Sequence, residues 1–500
     1  MKSIIETRII KKEKCMDSKE EQEKIRLAPG LAIIVWKELR EKHGIQQRKD
    51  KQGFPDWSCT MAELGLITKL KIENPNRNDL KGISQLYNLQ SLTVVSFGSS
   101  EYKKDNDIST ITDRDMREIC QIKSLKFLEI NNQADVSYID LSQLRNLQDL
   151  SIINNPNLEG LDGFESQTKL EGLTCYGNRS LMQIPGLNQC INQCGELMEI
   201  NLDVLLFPES IDYNSRTGEY NQETANRIAE IATSTGYVKW HEALPGLKYT
   251  AFKMDSIQIN HYQMIQMHNK CCKILAENVP EYAENKDTIL GIETYLAQNV
   301  TYDHKALKEK SRMASQNGIS IGVVGGANGA YNAIMLNQCV CEGYTRAMQY
   351  LLKLRGINSR NVRCIGTKDT LHLADKTRET RYTRYVLPNE GYHSIICIED
   401  ENLLYCDPCW NAGLYQARNG DKSLPYTLLN KSEISQTHTL SFQERRVANE
   451  HITVPRNVIA KSISRNELFK NTRMGNVKQM AQEIREQNYK GQVKEERETI

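Results

Sequence analysis

The most regular feature of the chain is a short apolar motif that recurs every twenty-odd residues. Six segments share it: Lys69–Ile72, Leu89–Val94, Leu125–Ile130, Leu147–Ile152, Leu170–Cys175 and Leu197–Leu202. Aligned on Leu70, Leu92, Leu128, Leu150, Leu173 and Ile200, they step by 22, 36, 22, 23 and 27 residues. The long step is one 22-residue unit plus a polar insertion, Gly98–Arg114. Within each segment apolar and polar residues alternate, the period of a strand with one buried face. The outward positions are small, polar or charged: Ser91, Thr93, Lys126, Glu129, Gln148, Ser151 and Thr174. Several units run on into asparagine, at Asn74, Asn131, Asn154, Asn155 and Asn178.

This pattern, over about Leu64–Leu206, resembles leucine-rich repeats. The resemblance implies a solenoid with one short strand per turn. The Leu positions face a shared core, the Asn side chains bond turn backbone, and the outward face is open to a protein partner. Elsewhere the pattern changes to three- and four-residue steps. It predicts helices over Leu27–Arg40, Glu223–Thr235 (stopped by Gly236), Asp255–Glu277 and Asn285–Asn299. The chain therefore divides into a charged, partly helical segment (1–60), the repeats (61–210), a connection (211–250), a mixed α/β region (251–445) and a charged tail (446–500). The last forty residues hold nine basic and six acidic side chains and read as a solvated helix or frayed end.

Composition narrows the function classes. The 500 residues carry 64 Lys plus Arg against 63 Asp plus Glu, a formal charge of +1. No global field draws nucleic acid, so none is expected as a partner. No apolar run reaches the roughly 18–20 residues of a spanning helix, and Met1–Cys15 lacks the apolar core of an export signal. Fourteen scattered cysteines are too few for a disulfide scaffold. Reduced thiols and a cytoplasmic location are expected, with delivery into another cell by a signal-less route left open.

The chemistry lies between Tyr302 and Trp410. Tyr344, Ala347, Met348, Leu351 and Leu352 share one face of a helix that Gly356 should stop. Cys341 thus opens the helix, where free N–H groups and the macrodipole favour an anion such as a thiolate. Tyr392–Glu399 and Leu403–Asp407 read as a hairpin turning at Asp400–Asn402. Centred on Asp400, it sets His393 opposite Asp407 on one sheet face. A two-residue shift would keep them on that face, and a one-residue shift would part them. Nucleophile, base and orienting carboxylate are the parts of a Cys–His–Asp triad.

Cys341-Glu342-Gly343-Tyr344-Thr345-Arg346-Ala347, then His393, then Asp407-Pro408-Cys409-Trp410, resembles the transglutaminase-like cysteine-enzyme superfamily. Val300-Thr301-Tyr302-Asp303, Ala330–Ile334, and Pro425–Leu429 followed by His438 extend the likeness over about Asp255–Arg445. It implies a papain-like α+β domain over 251–445. Cys341 would be the nucleophile, His393 the general base and acid, and Asp407 the orienting carboxylate. Two departures bear on specificity. Ser394-Ile395 follows the histidine where Ala-Trp is common, and Cys409 stands in a place usually held by Thr.

The implied reaction is attack of the thiolate on a protein or peptide amide. A thioester forms, and water (peptidase, deamidase) or an amine (transamidase) resolves it. No metal and no cofactor are needed. The Cys341 N–H and a side chain, Asn337 or Gln338, are candidate oxyanion donors. The repeats would recruit the substrate. The rival reading is an inactive interaction scaffold with a vestigial triad. Zinc on Cys339, Cys341, Cys406 and Cys409 would consume the nucleophile and leave His393 unexplained. A Cys406/Cys409 redox pair should open a helix, which Pro408, Trp410 and Asn411 do not announce. His372, without a carboxylate on an opposing strand, reads as a satisfied or exposed histidine, His438 as structural, and Gly322–Gly329 as a flexible loop near the entrance rather than a phosphate loop.

Overall fold

A computed structural model describes residues 24–75, 80–96, 110–178, 180–211, 220–234, 236–243, 256–306, 308, 326–366, 392–399, 402–417 and 424–440. The tail, His372 and positions 322–325 of the glycine-rich stretch lie outside these. The chain forms two compact units, dividing chiefly at His261/Tyr262. It is a mixed α/β protein with several sheets.

The first unit holds an eight-stranded sheet. Its strands are β1 (Lys69–Glu73), β2 (Ser91–Val95), β3 (Phe127–Asn131), β4 (Asp149–Ile153), β5 (Gly172–Tyr176), β6 (Glu199–Asp203), β7 (Tyr237–Ala243) and β8 (Ser256–Asn260). They lie side by side in chain order, the first seven parallel and β8 antiparallel to β7. The six positions aligned in the sequence are direct partners: Leu70, Leu92, Leu128, Leu150, Leu173 and Ile200 pair in succession. All are buried, as are the next inward residues Ile72, Val94, Ile130, Ile152, Cys175 and Leu202. Burying apolar area at roughly 25 cal/mol per Å² is what holds each turn to the next.

Parallel pairing extends past the expected end of the repeats. Tyr237–Ala243, expected within a connection, is a strand; the helix Gln222–Thr233 interrupts the spacing, so the last parallel strand follows at 38 residues, Ile200 to Val238. Likewise Ser256–Asn260, expected as the start of a helix, alternates Ile257 and Ile259 with polar residues and is a strand.

The asparagines divide into two roles. Asn155 and Asn178 are buried and bond turn backbone: Asn155 Oδ1 accepts from the Gln133 N–H at 2.9 Å, and Asn178 Nδ2 donates to the Ile152 carbonyl at 2.8 Å. Gln133 takes the same place one turn earlier, its amide donating to Ser96 Oγ at 3.1 Å. Asn74 and Asn154, by contrast, adopt left-handed backbone (φ 50° and 54°), which Asn tolerates better than other non-glycine residues. Asn131 stays on the strand and meets Glu129.

The second unit contains α1 (His261–Asn278), α2 (Asn285–Asn299), α3 (Cys341–Leu354), β9 (Ser359–Gly366), β10 (Tyr392–Glu399), β11 (Leu403–Cys406), α4 (Pro408–Ala417) and β12 (His438–Leu440). Its four-stranded sheet runs β11-β10-β9-β12, antiparallel throughout. Helix α3 packs on β9 and β10, with α2 and α4 also against it. One face of α3 was expected to be apolar; the helix is buried on nearly every side. Several of its polar side chains are bonded: Tyr350 Oη to His268 Nδ1 at 3.1 Å, Gln349 Nε2 to the Ser359 carbonyl at 3.0 Å, Tyr344 Oη to the Val300 carbonyl at 2.7 Å.

Candidate active site

Cys341 is the first residue of α3, as expected. Its N–H, like the others of a first turn, has no intrahelical acceptor. The side chain is half-buried, whereas Cys339, two residues earlier, is fully enclosed. The turn is tightly set. A Cβ on Gly343 would come within 2.4 Å of Cys339 Cβ and 2.7 Å of the Ala327 carbonyl oxygen, so only glycine fits there. Ala327, within the glycine-rich stretch, packs with Val340 and Tyr302, beside the Cys341 segment.

His393 lies on β10 with its side chain 13% exposed, and Asp407 follows β11 with its side chain fully enclosed. The hairpin register differs by two from the expected one. Ile396 pairs with Cys406 and Glu399 with Leu403, because a three-residue connection is centred on position 401 rather than 400. The two-residue shift keeps both residues on one face as diagonal neighbours. His393 Nε2 reaches Asp407 Oδ2 at 2.7 Å. A nitrogen facing a carboxylate carries its proton, so Nδ1 is left for the thiol. The Cys341 side chain hydrogen-bonds to this imidazole. Burial acts to lower the His393 pKa. The charge and hydrogen bond of Asp407, with the contact to Cys341, outweigh it and raise it to about 10. Asp407 is held well below the usual carboxylate range: burial opposes ionisation, but His393 and His438 overcome it.

Asp407 is fixed from three sides. Its Oδ1 accepts the Trp410 N–H at 3.0 Å, making it the N-cap of α4. Its own N–H donates to the Tyr426 carbonyl at 2.8 Å. A second imidazole, His438 Nε2, reaches the same Oδ2 at 3.0 Å. His438 is enclosed, and burial lowers its pKa. In the neutral form its Nδ1 accepts from Thr437 Oγ1 at 2.9 Å. Trp410 stacks on His393 at 5.3 Å and lies 4.5 Å from His438, with Tyr426 edge-on at 5.1 Å.

Two expectations change here. Asp407-Pro408 does open a helix: an N-cap Asp followed by Pro at N1 is a start signal that reading Pro as a breaker overlooks. The Cys406/Cys409 pair therefore flanks a helix start. Both thiols are buried and burial pushes each well above its ordinary pKa, the reverse of a redox-active thiolate. His438, read as structural, touches Asp407 directly. Its signal was the period-two burial of His-Thr-Leu on β12, which aims the imidazole inward.

Asn337 and Gln338, the expected oxyanion donors, bond to Thr301 and Lys270. Asn337 holds left-handed backbone (φ 56°), its carbonyl accepts from the Thr301 N–H at 2.9 Å, and its side-chain oxygen meets Lys270 Nζ at 3.5 Å. Gln338 pairs with Thr301 and is exposed. Ser394 donates to Asn361 Oδ1 at 2.6 Å. Asn361 Nδ2 in turn donates to Thr345 Oγ1 at 2.9 Å, one turn along α3 from Cys341. The strand of His393 is thereby tied to the helix of Cys341.

Among the described residues, the group able to gather on a metal ion is His393, Asp407 and His438, not the four cysteines. These three already satisfy one another by hydrogen bonds. They would have to part before an ion with ligand distances of about 2.0–2.2 Å fitted between them.

The titrating groups set a pH optimum for stability. His393 is raised, so its contribution is full below about pH 6.5 and is lost as pH rises toward 10. Glu293, buried on α2, is raised from 4.5 to about 8 by burial; it too costs stability as pH rises through that range. His241 and His268 are lowered by burial to about 4, so stability is lost as pH falls from 6.5 to 4. Thermal melts from pH 4 to 10 should peak at about pH 6–6.5. A melting temperature that climbs from pH 6.5 to 9 contradicts this balance.

No protein-family model matches the chain, and no curated protein matches it. Solved structures of two internalins from Listeria monocytogenes do. An internalin (inlF) is 16% identical over 35% of this chain and 55% of its own, with a TM-score of 0.19. Internalin C2 is 20% identical over 35% of this chain and 84% of its own, also with a TM-score of 0.19. The chain thus spans little more than half of the first. Likeness at this level carries no functional argument; the repeat character rests on the strand register above. Among the described residues no helix is long and apolar enough to cross a membrane.

Proposed function

We propose that the chain is a cysteine-dependent acyl-transfer enzyme, with a transglutaminase-like, papain-like α+β domain following leucine-rich repeats. One observation supports it above the rest: a thiol at a helix N-terminus hydrogen-bonds to an imidazole whose far nitrogen is fixed by a buried carboxylate. In this reading Cys341 attacks as the thiolate, paired with the His393 imidazolium. The thiolate attacks an amide carbonyl, and the Cys341 N–H donates to the oxyanion. His393 Nδ1 gives its proton to the leaving amine, leaving a thioester. It then takes a proton from the attacking water or amine, which releases the product and the thiol. Asp407 keeps the imidazole in the required tautomer throughout. The outward polar ladder of the repeats, Thr93, Glu129, Ser151 and Thr174, would recruit a protein substrate.

Iodoacetamide labelling of Cys341 against pH, resolved by mass spectrometry, tests the pair. The wild type should label much faster at Cys341 than at its other cysteines, and His393→Ala should slow that labelling at least tenfold. A Cys341 no faster than the exposed thiols of the unfolded chain, and indifferent to His393→Ala, would leave the scaffold reading in its place.

A further inference from the structure

Behind the triad lies a buried acid with no part in the chemistry above. Glu293, on α2, is 1% exposed. Its Oε2 meets the Asn411 amide of α4 and the Thr427 hydroxyl. The Cys406 thiol also lies beside the carboxyl. Asn411 is itself fully enclosed. Its Nδ2 donates to Thr427 Oγ1 at 3.0 Å, and its Oδ1 accepts the Tyr426 N–H at 3.1 Å. Tyr426 is the residue whose carbonyl holds the Asp407 N–H, and Asn411 N donates to the Asp407 carbonyl at 3.1 Å. Each partner of the Glu293 carboxyl is therefore one or two bonds from the backbone of Asp407.

We propose that Glu293 is a positioning residue for Asp407. It ties α2 to the first turn of α4 and to the 426–427 segment, and so fixes the N-cap carboxylate against both imidazoles. The inference rests on the acyl-transfer reading and deepens it. The chemistry of the cluster explains why an acid stands there. Asn411 offers a donor, while the Thr427 hydroxyl can donate or accept. Both donate to the same oxygen, Oε2, which a carboxyl can accept and Leu cannot. Its partners are neutral, and the charge bearing on it is Asp407, of the same sign as its own conjugate base. Burial accordingly holds it in the protonated form at neutral pH. A neutral clamp adds no second carboxylate charge behind Asp407, and so leaves the imidazole proton where the triad needs it.

The test uses the full chain and Cys341 alkylation by iodoacetamide from pH 5 to 10, with thermal melts of each variant. Glu293→Leu should slow labelling at pH 6.5 at least tenfold and move the profile toward that of His393→Ala. Glu293→Gln, which keeps one donor and one acceptor, should restore most of that loss. A folded Glu293→Leu with the wild-type profile overturns the inference. So does a folded Glu293→Gln as damaged as the Leu variant. Should Leu not fold at this position, Thr427→Val removes one bond to the same carboxyl. A partial shift of its profile is then expected, and an unmoved profile overturns the proposal. A wild-type Cys341 as slow as His393→Ala would instead sink the acyl-transfer reading itself. The two failures are thus told apart.

Discussion

Asp407→Asn is expected to abolish the reactivity of Cys341 while leaving the chain folded. The substitution preserves shape, and its carbonyl oxygen can still accept the Trp410 N–H that caps α4. What changes is the face turned to the imidazoles. A carboxylate oxygen accepts from His393 Nε2 at 2.7 Å and His438 Nε2 at 3.0 Å. With the capping bond kept, the Asn amide nitrogen points there instead, and it is a donor. His393 must then offer Nε2 as an acceptor and carry its proton on Nδ1, toward the thiol. That tautomer cannot take the thiol proton. The imidazolium also loses the carboxylate that raises its pKa to about 10. An ordinary thiol of pKa about 8.5 is only about 1% thiolate at pH 6.5, so alkylation there should fall by one to two orders of magnitude. Turnover of an amide substrate should fall further, by about 10³–10⁴, the scale seen when a triad loses its orienting carboxylate. Alkylation kinetics at pH 6.5, with a melt confirming the fold, decide it. Wild-type kinetics in a folded Asp407→Asn would show that Asp407 does not orient the base.

The ease with which these features could be read from sequence follows the range of the interactions that create them. The repeat strands are local and periodic, and the six aligned apolar positions pair one to one in the sheet. The pairing of His393 with Asp407 was legible because a short hairpin joins them. Its register was displaced by two because a three-residue connection turns about its middle residue. The α4 helix was hidden by Pro408, whose missing N–H costs nothing at N1. His438 and Glu293 lie 31 and 118 residues from the Asp407 and Asn411 they contact. No pattern of spacing encodes such a meeting; only the sheet order and the packing of α2 on α4 create it. The asparagines were legible as turn residues, but not which of each neighbouring pair would turn inward.

That last division carries a large energetic consequence for the repeats. Asn155→Leu should destabilise the first unit far more than Asn157→Ala, two residues away. Asn155 is fully buried. Its Oδ1 holds the Gln133 N–H, and its Nδ2 donates to the Ile130 carbonyl at 3.2 Å and to Asn178 Oδ1 at 3.1 Å. Leu matches the volume but leaves the Gln133 donor and the Ile130 acceptor without that partner, in a place water does not reach. Each such group costs about 1–3 kcal/mol, giving roughly 2–6 kcal/mol in all. Asn157 also bonds backbone, at 2.7 Å to the Ala134 carbonyl, but it is exposed, and water can replace it. Its loss should cost under about 1.5 kcal/mol. Because each repeat rests on its neighbours, the damage should spread from β4 to β3 and β5. Urea titration followed by hydrogen exchange, resolved along the repeats, separates the two sites. Equal midpoints for the two variants would mean that the inward amide ladder is not what fastens one turn to the next.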